Sequence, residues 1–297
     1  MHRWLTASAQ AASSVADRSS LWLPGALAWM VTVGWLALIV GVATPPTVAE
    51  LTFLGADTFT SGLWPWNGIA IVVVALLLIG LAIALASVAE AVLLRGRRAS
   101  PAEVRATFGV GVICVVPLLI TTVAFGAALF VIAPGTFNDP NPEGGPLLRT
   151  ILAVAPFAAA MVLAAMFGSA VHAAAIRGPV EAGGPWSSLA AAPRVLGRAG
   201  SAAVVQIVAQ FVARIGYFIV AAVLLRVLWA PIDARLSEEG FGVAVVLLLV
   251  GFVAIWLCLV LAGGALHAWG SLSWTRLLEG RGRDAGAVAP MESRSRP

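Results

Sequence analysis

Six long, predominantly apolar stretches, at about 21–43, 68–94, 109–133, 147–176, 202–228 and 241–269, leave this chain one class of fold. At about 1.5 Å of rise per residue, a helix over any of them reaches across a hydrocarbon core of about 30 Å. The rest of the composition agrees: 60% of residues are hydrophobic, 11% are charged, and the mean hydropathy is +0.97. A soluble domain is about a quarter charged, so this chain lacks the polar surface that water would demand. The expected fold is all-α, a polytopic membrane helix bundle with six transmembrane helices. An interfacial helix over 1–20 precedes the six-span domain (21–275), and a polar, disordered tail over 276–297 follows it.

The net charge of +4 does not point to nucleic acid, because the positive charge is sorted by topology. All eighteen basic residues are arginine, and fourteen of them fall on the side that holds both termini. The opposite side carries Arg149, Arg226 and Arg235, and Arg214 lies within a span. The positive-inside rule then puts both termini in the cytoplasm of a bacterial plasma membrane. The apolar run from Leu21 to Ala43 is too long for a signal-peptide core. Cys114 and Cys258 sit inside apolar stretches, where cysteine behaves as a small hydrophobe.

Local signals punctuate the spans. Ser100-Pro101-Ala102-Glu103 reads as a helix start, with proline in the first turn and an acid near the N-terminus. Residues Arg3 to Asp17 form a weakly amphipathic helix, with Trp4, Leu5, Ala11, Ala12 and Val15 on one side and Ser8 interrupting them. Gly25, Gly34 and Gly41 permit close helix approach in the first span. Pro117 and Pro156 fall inside the third and fourth spans and predict kinks. Trp186–Arg198 is amphipathic but interrupted by Pro193, and Ile232–Glu239 reads as a short acidic loop. Trp22, Trp64, Trp66, Trp229, Trp269 and Trp274 fall where tryptophan anchors spans at interfaces.

The fifth span carries the one ordered polar feature. Gln206, Gln210, Arg214 and Tyr217 fall on one face about 80° wide. A mid-span arginine costs about 2.5–3.5 kcal/mol on insertion scales, so it must face protein or water. Glu90, His172 and His267 are the other ionisable groups at membrane depth, and with Gln206 they lie at similar levels on four spans. One inner-leaflet polar cluster is the expectation, with Arg214 leaning toward it and bridged through Gln210 or water. Three uses compete: mutual satisfaction that fixes helix packing, a polar substrate or proton path, and a metal site at His172, His267 and Glu90. Those ligands suit zinc or iron, but no short-range pair occurs, so neither metal nor cofactor is expected. Arg95, Arg97 and Arg98 are candidates for binding anionic lipid headgroups.

Three cytosolic segments ending in arginine (Trp4–Arg18, Pro101–Arg105 and Trp186–Arg198) each precede an odd-numbered span, which suggests three hairpins in parallel repeat. This layout, with Trp186-Ser-Ser-Leu-Ala-Ala-Ala-Pro-Arg-Val-Leu-Gly-Arg leading straight into a span, resembles bacterial six-span membrane domains. Among them is the membrane domain fused to some glycerophosphoryl diester phosphodiesterases. No phosphodiesterase barrel or metal-binding acids accompany it, so the resemblance implies a membrane module and not a hydrolase. Nucleotide-binding loops, HExxH and GxSxG are absent. The expected function is a non-enzymatic membrane module or scaffold acting with envelope or lipid-related partners. The alternatives are a permease-like subunit with a polar path along the fifth span, and an intramembrane lipid-modifying enzyme using Glu90 and His172. Expected partners are the bilayer, anionic lipids, other proteins or a second copy of the chain, but not nucleic acid.

Overall fold

The computed structural model describes residues 2–43, 60–95, 99–138, 145–177, 184–238 and 240–279. Among these the protein is all-α, with no strand. We number the helices α1 (His2–Asp17), α2 (Ser19–Val42), α3 (Trp66–Arg95), α4 (Pro101–Asn138), α5 (Pro146–Ala175), α6 (Gly184–Ala199), α7 (Ser201–Glu238) and α8 (Val243–Glu279). Six of them, α2 to α5 with α7 and α8, are long and apolar enough to cross a membrane. Ile69 to Leu78 of α3 are exposed on every side, a surface suited to acyl chains and not to water.

The chain divides into two compact units. The first comprises Met1–Gln10, Arg105–Phe211 and Ser273–Pro297, and the second Ala11–Val104 and Val212–Leu272. In the first unit, alanines of α5 and α7 (Ala170, Ala173, Ala202, Ala203) pack with Ala7 of α1 and with Trp274 and Leu277 of α8. Gly168 of α5 meets the backbone of α4 at Cys114, a closeness that a larger side chain would prevent. Arg177, just past α5, donates to the Ala173 carbonyl (2.8 Å) and to Thr275 of α8 (2.9 Å). A cation thereby satisfies the carbonyl end of one helix and pins it to another.

In the second unit, α2 and α8 touch through their backbones. A Cβ placed on Gly25 would fall on the Gly264 carbonyl, and one on Gly264 would lie 2.5 Å from the Trp22 carbonyl. Gly263 lies under the Trp29 ring, and Gly41 faces Leu225 and Ala222 of α7. Gly25 and Gly41 thus mark close helix crossings, whereas Gly34 packs under Trp29 of its own helix. A π turn over Met30–Gly34 interrupts α2 at that point. The Trp22 indole donates to the Val15 carbonyl (2.9 Å), closing the end of α1. Arg226 does the same for α2, donating to the Ala43 carbonyl at 3.3 Å.

Several element boundaries differ from expectation. α7 runs through Pro231 to Glu238, so the acidic loop predicted at Ile232–Glu239 is helical up to Glu238. The cause is packing: Ile232 is fully buried with Leu225, Val245 and Phe252, which outweighs one lost backbone bond. Likewise α6 continues through Pro193, and α4 extends to Asn138. α8 reaches Glu279, past the predicted start of the tail at 276; residues 280–297 lie outside the described residues. The helix start at Ser100 is a reciprocal capping box, with the Ser100 amide on Glu103 (2.8 Å) and the Glu103 amide on the Ser100 hydroxyl (3.3 Å). On α1 the inward stripe is Trp4, Ala7, Ala11 and Val15, whereas Leu5 and Ala12 point outward.

Candidate functional site

The polar face of α7 is turned inward over its whole length. Val204, Val208, Val212, Ile215 and Ile219, on the opposite face, are exposed, whereas Gln206 is fully buried and Gln210, Arg214 and Tyr217 are half-buried. This arrangement follows from the helix period: polar residues at i, i+4, i+8 and i+11 share one side.

In the second unit this face meets α8 and α3. Arg214 Nη2 lies 3.4 Å from His267 Nδ1, and His267 Nε2 lies 2.8 Å from Glu90 Oε1. Ser271 donates to the other Glu90 oxygen at 2.7 Å. A guanidinium only donates, so Nδ1 must accept and the ring proton must sit on Nε2, facing the carboxylate. The histidine therefore links the glutamate to the arginine through its two nitrogens. The pair is secluded: the Glu90 and His267 side chains are 13% and 9% exposed. These residue types occur in hydrolytic triads, but here the carboxylate lies between the hydroxyl and the imidazole. Both ring nitrogens face other partners, and the group that accepts from Ser271 is the Glu90 carboxylate and not the imidazole.

One turn further along α7, the Tyr217 hydroxyl donates to the Leu259 carbonyl at 2.5 Å, and its ring meets Trp29 edge-on at 5.6 Å. Reaching a helix carbonyl from outside needs a gap in the side-chain surface, and Gly263, four residues on, leaves one. Tyr217→Phe is expected to lower the stability of the detergent-purified protein by about 0.6 kcal/mol, a loss small enough to leave the fold intact. A thermal melt beside the wild type checks this, and a loss several times larger would mean that the hydroxyl has a second role.

In the first unit the same face binds two tryptophans. The Trp4 indole donates to Gln206 Oε1 and the Trp274 indole to Gln210 Oε1, each at 2.7 Å. The amide nitrogen of Gln206 is buried and takes no hydrogen bond among the described residues.

Of the residues predicted to cluster, three are seen to meet. Glu90, His267 and Arg214 come together in the second unit, whereas Gln206 pairs with Trp4 in the first, to which His172 also belongs. Arg214 reaches Glu90 through His267, and Gln210 accepts from Trp274. Among the described residues no group of three His, Cys, Asp or Glu could hold a metal ion. The headgroup candidates Arg97 and Arg98, and the side chain of Arg95, lie outside the described residues.

Three partners escaped the sequence reading: Trp4, Ser271 and Trp274. Trp274, read from the sequence as an interface anchor, is buried and donates to Gln210. A signal existed, since His267, Ser271 and Trp274 recur at i, i+4 and i+7 along α8. That is the same spacing logic as the α7 stripe, broken only by the apolar indole of tryptophan. No protein-family model, curated protein or solved structure matches the chain.

Proposed function

We propose that the protein is a non-enzymatic scaffold of the bacterial plasma membrane, with both termini in the cytoplasm, acting with envelope or lipid-related partners. One observation carries the reading: the polar groups at membrane depth are directed at one another. Gln206, Gln210, Arg214 and Tyr217 each take a partner on a neighbouring helix, and the Glu90 carboxylate is held by His267 and Ser271. Residues so engaged hold helices in register and offer little to a passing solute. An open apolar recess on α8, lined by Phe241, Val246, Leu249, Val250 and Val253, includes none of them. The arginine distribution supports the orientation, and the span layout supports kinship with the phosphodiesterase-associated membrane domains. Anionic headgroups at Arg95, Arg97 and Arg98 belong to the same reading.

The amide nitrogen of Gln206, which makes no hydrogen bond among the described residues, favours a second reading, a permease-like subunit in which the stripe lines a path. Cysteine accessibility separates the two without a known substrate. With Cys114 and Cys258 replaced by serine, Ala213→Cys and Gln210→Cys are introduced singly and treated in intact cells with a membrane-impermeant thiol reagent. The scaffold reading expects no modification at either position until the membrane is dissolved and the protein unfolded. Rapid labelling of both from the aqueous phase would replace it with the permease. Reporter fusions at each end test the orientation separately.

A further inference from the structure

The described residues of the first unit are short of carboxylates. They include seven arginines (Arg3, Arg105, Arg149, Arg177, Arg194, Arg198 and Arg276) against one acid, Glu279 at the end of α8. Arg177 and Arg149 are turned onto helix carbonyls, at Ala173 and Thr136. Arg3, Arg194, Arg198 and Arg276 are exposed, and among the described residues none of the four takes a hydrogen bond or ion pair. Three of them adjoin members of a single packed cluster: Arg3 follows into Trp4, Arg198 into Ala199 and Arg276 into Leu277.

The fourth stands one turn before Arg198 on α6, whose surface is cleanly divided. At about 100° per residue, Ser188, Ala192, Leu196 and Ala199 occupy the packed side. Trp186, 71% exposed, lies on the outward side with Ala190, Pro193 and Gly197, and Arg194 and Arg198 form its edge. α6 ends one residue before the α7 span begins and so lies against whatever covers the end of that span. An exposed indole, small apolar residues and an arginine edge are the features by which an amphipathic helix seats in a headgroup layer.

We infer that Arg3, Arg194, Arg198 and Arg276 form a binding site for the headgroups of anionic phospholipids, with α6 lying in the interface. Arginine suits the task because its planar fork grips two phosphate oxygens at once. The headgroup phosphates supply the negative charge that these four arginines do not meet among the described residues. The inference rests on the membrane reading but not on the scaffold role, so it survives if the path along α7 proves open to water.

Full-length protein in neutral detergent, titrated with phosphatidylglycerol or phosphatidylcholine and followed by native mass spectrometry and thermal melting, provides the test. The wild type is expected to retain phosphatidylglycerol preferentially and to melt higher in its presence. Arg194→Gln with Arg198→Gln should weaken that retention by about 25-fold, at about fivefold per arginine near an anionic surface. The melt in phosphatidylcholine should be unchanged. Arg194→Lys with Arg198→Lys, which keeps the charge, should hold most of the affinity and guards against a folding artefact. Arg235→Gln, which the arginine distribution puts on the opposite side, should leave it near wild type. Equal retention of the two lipids overturns the inference, as does loss in Arg235→Gln alone. Displacement of the lipid by millimolar inorganic phosphate would make this a free-anion site and overturn it too.

Discussion

Gly264→Leu is expected to destabilise the second unit enough that little folded protein survives extraction in mild detergent. The backbones of α2 and α8 meet at Gly25 and Gly264 with no room for a side chain. Even a Cβ on Gly264 would lie 2.5 Å from the Trp22 carbonyl, and on Gly25 it would fall on the Gly264 carbonyl. Backbone cannot step aside as a flexible side chain can, so the helices must separate. Inserting methylenes into a packed site typically costs about 1–3 kcal/mol, and a backbone-to-backbone crossing stands at or above the upper end of that range. Separation would also lift Trp29 off Gly263 and disturb its edge contact with Tyr217, because both depend on the same crossing. Gly251→Ala, on the same helix, is the control. Nothing lies within 4 Å of its added Cβ, so no loss is expected, and a gain of up to about 1 kcal/mol follows from helix propensity. Fluorescence-detected size exclusion against temperature reads both variants. Similar behaviour of the two would refute the crossing.

The six spans were legible because length and hydropathy alone select them in a membrane chain, and the α7 stripe because four polar residues at helical spacing have no other explanation. What sequence could not give was partnership. Glu90, His172, His267 and Gln206 lie at similar depth by residue count, yet depth fixes only one coordinate of three. Rotation of each helix about its axis decides which polar groups meet, and that rotation is set by small-residue contacts such as Gly25 with Gly264. The indoles of Trp4 and Trp274 were hidden for another reason. Tryptophan is read as an apolar anchor, and its single donor has an address only once the neighbouring helix is in place. The helix ends were misplaced where packing outweighs a local breaker, as at Pro231 beside buried Ile232.

The link through His267 makes a sharper prediction, because the two charged residues should not be equally costly to lose. Glu90→Leu leaves the Arg214 guanidinium without its counter-charge and Ser271 without the carboxylate it donates to, while Nε2 of His267 loses its acceptor. Removing one member of a buried ion pair costs about 3–5 kcal/mol, most of it from the stranded charge. Arg214→Leu should cost less, since Glu90 keeps its bonds from His267 and Ser271. The double variant Glu90→Leu/Arg214→Leu should then be more stable than Glu90→Leu alone, an apparent rescue by a second deletion. Strict additivity of the two losses would show that carboxylate and guanidinium do not sense each other across the imidazole, and the ladder would reduce to unrelated contacts. Conversion of His267 to leucine in the wild-type background supplies the third side of the argument. If the imidazole carries the coupling, its loss should make the Glu90 and Arg214 substitutions nearly independent, because 3.4 Å and 2.8 Å contacts through one ring are what join them. A coupling that persists without the ring would instead mean that the two charges act on each other directly through the low-dielectric interior.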